Sequence, residues 1–145
     1  MVFTPIRAGD EVSDETALRI FAGMTGKFLP KEEWTHPAHL VFATVLLDRE
    51  GLSGAEAAAP DLIRNYNISV GGVNSDTEGY HHTITLFFLR RIDMFLASVP
   101  EKNIGARATR VLASPLAETD YPMRFYSRER LFSVEARRSW VEPDL

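Results

Sequence analysis

From residue 80 to about residue 98 the chain is apolar on nearly every side, with Arg90 and Arg91 marking its one evident wet side. A helix of that kind cannot stand alone in water, so its spacing predicts a helix at the centre of a packed domain. Thr83, Ile84 and Thr85 are all β-branched, which leaves a strand possible for its first turn only. The rest of the chain must supply what covers this segment.

It does so with further helical patterns. Ser13, Asp14 and Glu15 form a helix start with acid in the first turn, and Leu18, Phe21 and Ala22 follow at helical spacing, which predicts a helix over 13–25. Proline at 37 favours the first turn of a second helix, running to about Glu50 and stopping at Gly51. Ser53, Gly54, Ala55 and Glu56 fit a capping box, and Pro60 is expected to divide the third helix into an alanine-rich turn and a helix over 60–68. Turn-rich residues 71–79 predict a surface loop. Pro100 and Glu101 open a helix reaching about Leu112, and a loop carrying Pro115 and Pro122 leads to short pieces near 127–132 and 134–140, each preceded by serine. There is no internal repeat and no convincing strand pair. The expected fold is all-α, a single helical domain over 1–145, with about five helices in a bundle and an irregular C-terminal tail.

Composition narrows the function. The 145 residues suit one domain. A formal charge of −4 is a poor footprint for a partner defined by its phosphate backbone, so no nucleic acid is expected. The apolar runs at 40–47 and 84–89 are too short for a membrane span, and the absence of cysteine removes disulfides and thiolate chemistry. A cytoplasmic protein with no membrane partner is the expectation. The usual hydrolase, nucleotide and metalloprotease motifs do not occur.

The four histidines occupy two places only: His36 and His39 at the start of the second helix, and His81 with His82 at the start of the central one. Spacing of i, i+3 puts His36 and His39 on one face, and three converging imidazoles with an open position are the pattern of a catalytic metal centre. The expected cofactor is a divalent transition metal, zinc, nickel or iron, held by His36, His39 and His81. Neighbours on a helix diverge by about 100°, so only one of the second pair reaches the ion. His81 is chosen because its face, shared with Ile84, Phe88 and Ile92, is the more continuously apolar. His82 becomes a residue near the metal or facing the substrate. Ala43, one turn beyond His39, leaves room for a ligand. Glu33 and Glu78, each three residues before a histidine, are the candidate general bases, with solvated loop acids the simpler account of both. Arg124, Tyr126, Arg128 and Arg130 form a basic aromatic tail that could meet an anionic ligand or simply be a solvated turn. Trp34 and Trp140 read as core or pocket walls.

The segments WTHPAHL at 34–40, GYHHTIT at 79–85, YSRERLFS at 126–133 and WVEPDL at 140–145 resemble the hallmark segments of a family of small uncharacterised bacterial proteins. That resemblance implies one coherent domain and no particular substrate. In site type the chain is more loosely similar to the DinB/YfiT-like helical bundles, whose three histidines bind a divalent metal and which include thiol-dependent transferases and hydrolases. His36, His39 and His81 are the matching positions, although the first pair here is spaced i, i+3 and not i, i+4.

Three functions follow as expectations. The first is a metal-dependent enzyme or metal-binding protein in which the ion activates water or a small substrate. The second is a metal-free domain that binds a small-molecule anion. The third is an interaction module that forms a homo-oligomer. The loop at 71–79 is expected to control access to the site.

Overall fold

A computed structural model describes residues 4–145. Among the described residues there are six α-helices and no strand: α1 (Asp14–Thr25), α2 (His36–Ser69), α3 (His82–Leu96), α4 (Ile104–Leu112), α5 (Arg128–Leu131) and α6 (Val134–Arg138). Short 3-10 turns at Lys31–Glu33, Pro115–Ala117 and Tyr121–Arg124 join them. The all-α single domain expected from the sequence is the fold observed. None of the described helices is long and apolar enough to cross a membrane.

The centre of the domain is the first half of α2, where every residue from 40 to 47 is buried. It is flanked by α1, α3 and α4, each of which packs against α2. The sequence had pointed to α3 instead. Its Leu86, Phe87, Phe88, Leu89 and Ile92 are indeed buried, but Met94 is 65% exposed and Arg90 and Arg91 keep one side wet. Thr44 is tolerated in the dry centre because its hydroxyl donates to Leu40 O at 2.7 Å within its own helix.

Gly51 interrupts α2 with φ 71° and ψ 174°, a backbone region that only glycine occupies cheaply. The helix stops there as its sequence predicts, and a second half begins at once. Pro60 does not divide that second half, which runs unbroken to Ser69. A proline inside a helix removes one backbone hydrogen bond, but Ala55, Ala59, Ile63 and Tyr66 form one buried stripe across it. Tyr66 is fully buried and donates its hydroxyl proton to Leu29 O at 2.8 Å, which fixes the stripe to the loop before α2. Packing therefore outweighs local propensity.

The C-terminal segment carries the two short helical pieces, each preceded by serine, that its sequence predicts. Ser127 and Ser133 cap α5 and α6 with their hydroxyls. Fully buried Tyr126 donates to Val141 O at 2.7 Å, and Asp144 accepts from both the amide and the hydroxyl of Ser127. The last residues are thus tied back across α5.

No atom lies within 4 Å of where a Cβ on Gly51 would stand, so a substitution there meets strain alone. Gly51→Ala is expected to lower unfolding free energy by about 1–3 kcal/mol in urea titration, the usual cost of a non-glycine residue in such a region. An unchanged denaturation midpoint would show that the break in α2 does not depend on glycine.

Candidate functional site

The site is assembled at the N-terminal turn of α2. Thr35 precedes the helix in extended conformation, and its hydroxyl accepts from the Ala38 amide at 3.4 Å. Its carbonyl accepts twice from His39, from the backbone amide at 3.0 Å and from the ring Nδ1–H at 2.7 Å. Trp34 lies flat against the same imidazole, with ring centroids 3.7 Å apart and planes 27° apart. His39 is held on one edge by a carbonyl and on one face by an indole. Among the described residues its Nε2 has no hydrogen-bond partner.

His36, the first residue of α2, is held from a different direction. Its Nε2–H donates to Leu116 O at 3.0 Å, in the turn Pro115–Ala117, and its ring stands edge-on to Phe88 at 5.0 Å. A carbonyl can only accept, so the proton is on Nε2 and Nδ1 is left bare in the neutral ring. By the same reasoning His39 carries its proton on Nδ1. Burial pushes both histidines below their ordinary value of 6.5, His39 to about 4, against the raising effect of their carbonyl partners. At neutral pH the pair is uncharged and offers two lone pairs.

Both rings line a pocket of about 270 Å³ between the two halves of α2 and α3. Phe42, Ala43, Ala59, Ile63, Phe88 and Leu89 form most of its wall, and Thr85 adds a hydroxyl. Ala43 and Ala59 are the small residues that leave the space. The Thr85 hydroxyl already donates to His81 O at 2.8 Å, so it too faces a ligand chiefly as an acceptor.

A second, more polar chamber of about 600 Å³ adjoins the first, and His39, Ile63, Ile84 and Thr85 line both. Its outer wall is the loop at 71–79. This loop is less free than its glycines imply, because Asn74 pins it from within: the side-chain Oδ1 accepts from Asn67 Nδ2 and from the Tyr80 amide, each at 3.0 Å, and Nδ2 donates to Arg64 O at 3.1 Å. From outside, Arg138 forms a two-pronged ion pair with Asp76, and Arg137 donates to Gly79 O.

His81 does not join the first pair through a free nitrogen. It is the residue before α3, where its Nδ1 accepts from the Ile84 amide at 3.1 Å while its Nε2–H donates to Leu131 O at 2.7 Å. Both ring nitrogens are occupied, and the residue caps a helix and ties α3 to the C-terminal segment. The helical phase argument that selected it fails because His81 lies outside the helix whose phase was used. His82 opens α3 and its Nδ1 is bonded to the Tyr80 hydroxyl at 2.8 Å.

The two candidate bases also part company. Glu33 is buried and paired with Arg19 at 3.0 Å, so its carboxylate serves the packing of α1 against the turn before α2. Glu78 lies on the exposed loop and lines the outer chamber. Tyr126 is a core residue rather than a substrate-facing one. Arg124 pairs with Glu118 at 2.6 Å on the surface, and the Arg128 guanidinium lies 5.2 Å from the Phe132 ring. None of these tail residues lines either chamber. Among the described residues no three His, Asp or Glu side chains gather as a metal-holding group. The Trp34 stack on His39 and the wall from the second half of α2 are not part of the sequence reading, although a tryptophan two residues before HxxH is the signal for the first. The chain matches no family model, no curated protein and no solved structure.

Neutral burial of His39 has a consequence for stability. The unfolded chain takes up this proton near pH 6.5 and the folded chain only near 4, so below pH 6.5 the unfolded state binds more protons and stability falls with pH. Melting temperature is expected to hold steady above pH 7 and to decline between 6.5 and 4.5, with a shallower decline in His39→Phe. An equal slope in that variant would mean that His39 does not fold as a neutral ring.

Proposed function

We propose that this chain binds a small, uncharged, largely apolar molecule that carries a hydroxyl or N–H group, with the bare Nε2 of His39 as its acceptor. The observation that carries the reading is that lone pair, held in one orientation by the Thr35 carbonyl and the Trp34 ring, on the wall of an apolar pocket. A cavity of about 150 Å³ already accepts benzene, so about 270 Å³ has room for one substituted ring. A pKa near 4 makes His39 a poor proton acceptor at neutral pH and a good hydrogen-bond acceptor, which favours binding over general-base chemistry. An anion is disfavoured by the same lone pairs, since acceptor would face acceptor.

A divalent transition metal at His36 and His39 is the second reading. It is favoured by one feature, the backbone carbonyl on the far nitrogen of each ring, which is how ligating imidazoles are commonly oriented. Among the described residues no carboxylate lines the inner pocket, however, so a dication there would bring charge that the walls do not offset.

Titration calorimetry with phenol and toluene, followed by zinc, separates the two. Phenol is expected to bind about fivefold tighter than toluene, the worth of one net hydrogen bond, with the preference lost in His39→Phe. Ala43→Phe should abolish binding of both while the protein remains folded. Failure of both aromatics to bind, together with stoichiometric zinc uptake that His39→Phe removes, would overturn this reading in favour of the metal.

A further inference from the structure

Resting on the reading just given, we propose that the two chambers take one guest between them: an amphiphile whose apolar body fills the inner pocket, whose N–H or O–H meets His39, and whose polar head, of no net charge, lies in the outer chamber. The shared wall carries the inference. His39, Ile63, Ile84 and Thr85 border both spaces, so the ring that bears the acceptor belongs to the wall the two spaces share. A donor at His39 therefore sits in the middle of a guest, with room on both sides of it.

The two spaces differ in character. The inner one is walled by aliphatic and aromatic side chains apart from its histidines and Thr85, and desolvates whatever enters it. The outer one is bordered by Lys31, Asn67 and Glu78 and by the backbone of the 71–79 loop. Lys31 and Glu78 form no ion pair among the described residues and carry opposite charges, so the chamber presents both signs to a head group and rewards neither alone. A head with partial charges of both signs, such as an amide, fits that surround. The loop wall is fixed by Asn74, so the outer space exists before a guest arrives.

A set of benzyl compounds tests this by calorimetry on the full chain. Benzyl alcohol supplies the ring and a donor, and N-benzylacetamide adds a neutral tail beyond the N–H. N-benzylsuccinamic acid and glycine N-benzylamide make that tail anionic and cationic. N-benzylacetamide is expected to bind about fivefold tighter than benzyl alcohol and tighter than either charged relative, the increment being that of one added polar contact. Val73 lines the outer chamber and is half exposed, so Val73→Trp should fill that space without disturbing the core. It should cancel the gain and leave benzyl alcohol binding unchanged. A gain that is absent, or that survives in Val73→Trp, overturns the single-guest proposal while the inner pocket stands. Tighter binding of a charged tail overturns the neutral head. No binding of benzyl alcohol at all would instead overturn the function proposed above.

Discussion

A helix buried on every side for two turns admits a polar side chain along its length only where its own backbone satisfies it, as Leu40 O does for Thr44, and the first half of α2 is such a helix from residue 40 to residue 47. Its other polar side chains stand at its ends. The N-terminal turn lies beside non-helical chain, so carbonyls of the cap residue and of the turn Pro115–Ala117 can fix a side chain there. His36 and His39 stand at that turn, each fixed by a carbonyl from outside the helix's own ladder or from its cap. The location of the site follows from the burial of the helix that bears it.

The same burial sets the chemistry. Desolvation holds His39 neutral, and the Thr35 carbonyl then decides which nitrogen keeps the proton. A ring in that state has one lone pair and little appetite for a proton. What it selects is a donor that stays a donor, which is why an uncharged hydroxyl or amide suits it better than a carboxylate or an ion. His81 shows the contrast within one chain: the same side chain, also pushed below its ordinary value by burial, has both nitrogens spent on backbone partners and is structural.

Much of the fold was legible in the residues because helix starts are local chemistry. Ser13, Thr35, Ser127 and Ser133 all cap the helices that follow them, and Gly51 breaks α2 where its sequence says it should. Pro60 and α3 were misjudged for the opposite reason: which helix is central, and whether a proline is tolerated, depend on what packs against them. The site was legible in part. His36 and His39 line one pocket with Ala43, as their spacing on one helix face allows. The face of His81 was inferred from a helical phase that begins only at His82, and the pairing of Glu33 with Arg19 joins residues from separate elements that no local pattern links.

Ala43 and Ala59 leave a volume in the middle of the domain that larger aliphatic side chains could fill. Empty space inside a protein forfeits dispersion contacts, so an open pocket is a standing loss of stability. A chain under pressure only to stay folded would close it with one or two methyl-bearing substitutions. The thermostability engineer's first move on this scaffold, cavity filling, would therefore be the one that removes its capacity to hold a guest.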